Sequence, residues 1–228
     1  MALILQLETS TISCSVALSE NGETLAIKEA TERNIHASSI TPFIEDVMKA
    51  AGKEMSQLDA VAVSKGPGSY TGLRIGVSTA KGLCYALDIP LIAVDTLKSM
   101  ASNTTINPGN TTSLYCPMID ARRMEVYTAV FDSALNEVNP VSARIIDENS
   151  FAELLGERKI VFFGDGAAKC IDALGHNPNA SFITTFENSA SDMSTEAFSR
   201  FSKQQFEDVA YFEPYYLKDF VATTPKQL

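Results

Sequence analysis

Three glycines within seven residues, followed at once by a long run of helical periodicity, constrain this chain more than any other feature: Lys65 to Gly76 reads KGPGSYTGLRIG. The apolar run Ala60 to Ser64 before it is short enough for a buried strand, and Leu73 to Leu87 after it reads as a helix that must end ahead of Pro90. Leu91 to Val94 is again strand-like. Strand, tight loop, helix and strand in that order predict a right-handed crossover between parallel strands and a sheet covered by helices.

Glycine loops at helix starts often cradle phosphate, because backbone N–H groups and the helix dipole converge there. The spacing here fits neither standard loop. A dinucleotide fingerprint needs a glycine where Thr71 stands, and a P-loop needs lysine where Leu73 follows Gly72. Ser69 also lacks the flanking glycines of a nucleophile elbow, since Pro67 and Thr71 occupy those places. The helix itself carries Leu73, Val77, Ala80, Cys84 and Leu87 on one face, which predicts its core side. Gly72 and Gly76 form a second row, Ser78, Gly82 and Ala86 a third, and Ile75 and Tyr85 add apolar surface. Each interior glycine costs about 1 kcal/mol of helix stability against alanine. Two explanations stay open: close approach of another chain, or dense packing inside this one.

Upstream, Ala2–Leu7, Ser13–Ser19 and Thr24–Glu29 alternate with short polar turns and predict an antiparallel meander. Ile40, Phe43, Ile44, Val47, Met48 and Ala51 then follow helical spacing, with Gly52 as the stop, Pro42 expected in the first turn and Ser38 or Ser39 as cap. The element order is βββαβαβ. Polar, turn-rich sequence between Met100 and Ser113 predicts a domain boundary, giving domains 1–102 and 103–228. Beyond it, strands at Leu114–Ile119, Val126–Phe131, Val138–Ile146 and Ile160–Phe163, with helices near Phe151, at Ala167–Leu174 and at Thr195–Gln204, repeat the first half in outline. Two copies of one α/β unit are expected.

The chemistry available is narrow. Only His36 and His176 are present, with no paired spacing and no Cys-x-x-Cys, so no metal site is expected. Cys14, Cys84, Cys116 and Cys170 are dispersed among apolar neighbours, as buried reduced thiols of a cytoplasmic protein would be. The first residues, MALILQLETS, read as neither signal peptide nor anchor, and no run reaches the ~20 apolar residues of a membrane span. Eighteen basic against 28 acidic residues give a formal charge of −10, which repels phosphate backbones on average and makes nucleic acid an improbable direct ligand. Glu8, Thr9 and Ser10 sit at a strand turn where actin-like phosphotransferases hold phosphate and magnesium, and Gly164, Asp165 and Gly166 follow another strand. Either set reads equally as a plain turn.

Taken together, the meander with Glu8-Thr9-Ser10, the single His36 before the first helix, the Lys65 to Gly76 motif, Ile119-Asp120-Ala121-Arg122 and Glu213-Pro214-Tyr215-Tyr216-Leu217 resemble the TsaB (YeaZ) family. The resemblance runs along the whole chain. It implies a two-domain actin-like, Hsp70-like ATPase fold, an α/β class in which each domain is a mixed sheet with a meander and helices. It also implies an accessory, non-catalytic subunit in bacterial synthesis of threonylcarbamoyladenosine on tRNAs reading codons that begin with A. The related catalytic subunit, TsaD, holds its metal on a histidine pair that this chain lacks. Within that family the first two helices pack against TsaD, or against a second copy in its absence, while TsaE and tRNA are met through the complex. The implied partner face comprises Ile40, Phe43, Ile44, Val47 and Met48, together with Gly66, Pro67, Gly68, Ser69, Tyr70, Thr71, Gly72, Arg74, Ile75, Ser78, Thr79, Gly82 and Tyr85. Some of the first five must face the chain's own core. No catalytic residue, cofactor or metal is implied, and Glu8–Ser10 with Gly164–Gly166 would be a vestigial nucleotide cleft. The alternative is an ATP-binding kinase or ATPase of the same fold, or a metallopeptidase-like relative.

Overall fold

The computed structural model describes residues 1–109 and 111–218. A meander of β1 (Leu3–Glu8), β2 (Ser13–Glu20) and β3 (Glu23–Thr31) leads into α1 (His36–Ala50), then β4 (Ala60–Gly66), α2 (Tyr70–Leu87) and β5 (Leu91–Asp95). The five strands form one sheet in the order β3-β2-β1-β4-β5, antiparallel across the meander and parallel from β1 to β5. After α3 (Thr96–Ala101) the pattern returns with β6 (Leu114–Asp120), β7 (Glu125–Phe131), β8 (Glu137–Ile145), α4 (Ala152–Glu157), β9 (Ile160–Phe163), α5 (Ile171–Leu174) and β10 (Ala180–Ile183). The second sheet has the order β10-β9-β6-β7-β8, the same topology read from the other edge. A last helix, α6 (Ser194–Ser202), precedes an extended strap.

Every residue of β1 is buried, which explains why it shows no polar alternation. Leu3, Leu5 and Leu7 point into a core shared with Ile40, Ile44, Val47 and Met48 of α1 and Val77, Ala80 and Cys84 of α2. Ile4 points the other way, with Ala60, Ala62, Ile92 and Val94, onto Ala190, Met193 and Ala197. Strands covered on both faces read as apolar runs because both side-chain directions leave water.

The division into 1–102 and 103–228 separates the strands of the two sheets but not the packing. Leu97, Met100 and Ala101 of α3 bury against Tyr115, Ile119, Phe131 and Phe163 of the second sheet, while α6 buries against the first. The lobes thus exchange a helix each. Three local expectations are also corrected. Helix α1 begins at His36 with Ile35 as N-cap, so Pro42 lies inside it on the exposed side, and Ser38 Oγ donates back to Ile35 O at 3.0 Å instead of capping. Helix α2 begins at Tyr70, three residues early, because Ser69 Oγ accepts from Gly72 N at 3.2 Å. The stretch Ala167–Leu174 is a 3₁₀ turn followed by a single α turn.

Candidate functional site

The glycine motif folds inward at its start. An added Cβ on Gly72 would stand 2.0 Å from Thr9 O, one on Gly76 2.3 Å from Thr9 Oγ1, and one on Gly68 2.4 Å from Ser10 O. Thr9 Oγ1 donates to Gly72 O at 2.8 Å, and Ser69 N donates to Ser10 O at 2.6 Å. Gly66, at φ +114°, lies under the strap, its missing Cβ 2.5 Å from Tyr215 O. Gly66, Gly68, Gly72 and Gly76 therefore answer a need inside the chain, which corrects the place of the first three in the expected partner face. Buried Ile40, Ile44, Val47 and Met48 likewise belong to the core, leaving half-buried Phe43 as the member of that set nearest the surface.

What α2 leaves outside is a different row. Thr71, Arg74, Ser78, Gly82 and Tyr85 are exposed, Tyr85 at 86%, and no atom lies within 4 Å of a Cβ built on Gly82. Ile75 and Thr79 are half-buried beside them, and Thr79 Oγ1 bonds Ile75 O. No acidic residue occurs in the 18 residues of this helix.

The strap accounts for the Glu213 to Leu217 motif. It runs antiparallel along α2: Glu207 bridges to Leu91, Lys81 Nζ donates to the carbonyls of Ala210 and Phe212, and Tyr215 N donates to Lys65 O. At the helix start the Arg74 guanidinium lies 4.2 Å from the Tyr70 ring centroid, and its Nε donates to Tyr216 Oη at 3.1 Å. Arg74 is thereby held by its own chain. No periodicity marks these contacts, which span up to 142 residues. Pairing of His-free, aromatic-rich sequence near the end with a lone arginine was the available signal.

The β1–β2 turn is closed. Glu8, Thr9 and Ser10 are at most 1% exposed. Glu8 accepts from Ser10 N at 2.6 Å and Ser64 Oγ at 3.0 Å, and burial raises its pKa despite those bonds. Asp165 is also pushed up by burial, with its Oδ1 accepting from Asp120 N at 2.9 Å. Neither the cavity between Pro67 and Val141 nor the one at Asp165, both formed by described residues, takes in both segments. A cavity of about 160 Å³ takes Asp165 together with Thr11, Ile12 and Ser13, one step beyond the expected residues, and with Thr184–Asn188 on its far wall. His36 is buried with Nε2 3.2 Å from Ser13 O, and among the described residues no three His, Cys, Asp or Glu side chains gather as metal ligands would. The four cysteines are free and buried, and burial pushes the Cys116 thiol up to about 12. No described helix is long and apolar enough to cross a membrane.

With this geometry in place, the chain can be set beside known proteins. The family model described as "TsaD: tRNA N6-adenosine threonylcarbamoyltransferase" matches residues 28–226. The tRNA threonylcarbamoyladenosine biosynthesis protein TsaB of Bacillus subtilis is 32% identical over 166 residues, 71% of this chain and 70% of that protein. The chain belongs to the TsaB (YeaZ) family. The Escherichia coli TsaB is 38% identical over 135 residues, 59% of this chain but only 57% of its own length. A crystal structure from Pseudomonas aeruginosa, described as similar to the peptidase YeaZ, superposes with a TM-score of 0.81 at 25% identity, covering 96% of this chain and all of that one. The duplicated sheet of this TsaB-family chain is accordingly the two-lobed actin-like arrangement, with the glycine motif at the seam between β4 and α2.

Proposed function

We propose that this chain is the accessory subunit of the machinery that makes threonylcarbamoyladenosine on tRNA, and that it docks TsaD through the exposed row of α2 rather than catalysing the transfer itself. The observation that carries this reading is Gly82, which pays a helix-stability cost with nothing packed against it. A glycine kept where the chain itself has no need of the space fits a surface that another helix approaches closely. Tyr85 beside it offers a rigid aromatic anchor of the kind that dominates interface energies. On the same reading a second copy takes this face when TsaD is absent, TsaE joins through the assembled complex, and tRNA is met there too, since the −10 charge disfavours direct contact. The chain would hold no cofactor of its own and work in the cytoplasm.

The rival reading is an ATP-dependent enzyme using a cavity between the lobes. The cavity beside Asp165 holds about 160 Å³, and the one between Pro67, Asp95 and Lys98 on one side and Phe131, Leu135 and Val141 on the other about 270 Å³, both below the roughly 300 Å³ at which ligand sites begin. Titration of the isolated chain with ATP and magnesium separates the readings, because tight binding with turnover requires the enzyme. For the docking surface the decisive variant is Gly82→Leu. It should lose co-elution with TsaD on size exclusion while melting as cooperatively as the native chain. Intact co-elution would remove α2 from the interface.

A further inference from the structure

The segment that carries the chain from β10 back to α6 is fastened to the first lobe at Glu187, Asn188, Ser189, Ala190 and Asp192. Thr31 Oγ1 donates to Glu187 at 2.7 Å, Ser13 Oγ donates to Asn188 O at 2.9 Å, and Asn188 Nδ2 donates to Ser10 Oγ at 3.4 Å. Ser189 Oγ donates to Glu29 at 3.1 Å, and Ala190 N donates to Ser15 Oγ at 3.0 Å. Asp192 closes this seam. Its backbone carbonyl accepts from Ser102 Oγ at 2.8 Å and its Oδ1 from Asn103 Nδ2 at 2.9 Å, whereas Oδ2 is shut away from solvent with no hydrogen-bond partner among the described residues.

The charges around Asp192 are of one sign. Glu8 from the end of β1 and Glu29 from β3 both repel a carboxylate there. Ser102 and Asn103, after α3, and Ser189 and Ser191, in its own turn, are neutral. His36 of α1 directs Nε2 to Ser13 O. The charged groups of α6 are engaged with each other, Arg200 with Glu196 at 2.9 Å, and with Lys98 and Asp95. No ion pair reaches Asp192 among the described residues. A carboxyl so placed is much less costly neutral than charged.

We propose that the Asp192 carboxyl is a pH-sensitive latch: as the neutral acid it seats the crossing segment and α6 on the first sheet, and its ionisation loosens both. Burial pushes its pKa up to about 7, against the Asn103 hydrogen bond and with the help of Glu8 and Glu29. Because the folded value lies above the ordinary 3.8, the stability this group contributes is complete below about pH 4 and is lost as pH rises through 7. What the latch guards is apolar: Ala190, Met193 and Ala197 are fully buried against Ile4, Ala62 and Val94.

Hydrogen–deuterium exchange of the full chain at pH 5.5 and 8.5, expressed as protection factors, tests this. Amides of residues 189–202 should lose about tenfold protection at the higher pH relative to those of β4 and β5, and Asp192→Asn should abolish that loss. An unchanged ratio in the native chain, or the same loss in Asp192→Asn, would overturn the proposal. Should Asp192→Asn fail to fold, Glu29→Gln removes one repelling charge and must shift the loss to lower pH; an unmoved midpoint overturns it equally.

Discussion

The two lobes build the same joint and close it differently. In each, a carboxylate at the end of the first strand accepts a backbone N–H two residues on: Glu8 from Ser10 at 2.6 Å, Asp120 from Arg122 at 2.8 Å. In each, a glycine in the left-handed region closes the neighbouring parallel strand, Gly66 at φ +114° as the last residue of β4 and Gly164 at φ +103° directly after β9. A second glycine two residues later presses on the turn, Gly68 on Ser10 and Gly166 on Asp120. After Gly68, however, an 18-residue helix covers the turn, whereas after Gly166 only a 3₁₀ turn and a four-residue helix follow. Glu8 is consequently 1% exposed, while the Asp120 side chain keeps 49% of its surface and pairs with Lys169. Helix length after the joint, rather than the joint itself, decides whether the turn is core or surface. Four residues past the second glycine, the first lobe has Gly72 and the second has Cys170, which is fully buried and directs its thiol to Gly166 O at 3.3 Å.

The largest break in this comparison should come from Gly72→Ala. Its Cβ would lie 2.0 Å from a backbone oxygen that cannot move without the β1–β2 turn, so a loss of about 3 kcal/mol or more, or failure to fold, is expected. Gly166→Ala meets its nearest atoms at 3.0 Å and should cost about 1 to 2 kcal/mol. Denaturant midpoints at constant m rank the two. Equal losses would mean that the joints are equally closed.

The next test is of charge. Burial raises the Glu8 pKa, so its contribution to stability is full below the ordinary 4.5 and falls as pH rises through the folded value. Glu8→Gln cannot ionise, and its melting temperature relative to the native chain should climb between pH 5 and pH 8. A pH-independent difference would show that the turn is wetter than its burial indicates. Asp120→Asn, losing a half-exposed ion pair, should change stability by less than about 1 kcal/mol.

These contrasts also show what the sequence could disclose. Periodicity placed α1, α2 and nine of the ten described strands in outline because each element carries its own pattern of burial. It could not say which row of α2 meets the chain itself, since the partner of Gly72 is Thr9, 63 residues away. The four residues of β10 are half-buried or exposed and offer no alternation, and the six of α3 are too few for a helical period. The helix exchange between lobes was hidden for the same reason: α6 is amphipathic wherever it lands, and only the fold shows that its apolar face lands on the first sheet.

A smaller effect is expected at the strap, which lies along α2 of the first lobe. Tyr216→Ala removes the hydroxyl that Arg74 bonds and the ring 4.7 Å from that of Tyr70. A loss of about 1 kcal/mol is expected, read as a lower melting temperature. No change would mean that α2 is held by its buried face alone.

The smallest predicted change has the opposite sign and bears most directly on function. Gly82→Ala adds one methyl where nothing lies within 4 Å, and alanine favours the helix by up to about 1 kcal/mol. The isolated chain should therefore become slightly more stable, in contrast to Gly72→Ala on the same helix ten residues earlier. If that gain comes with weaker co-elution with TsaD, Gly72 and Gly82 divide cleanly into one that folding requires and one that docking requires. If the gain comes with undiminished pairing, Gly82 is merely tolerated, and the docking face must be sought elsewhere on the first lobe.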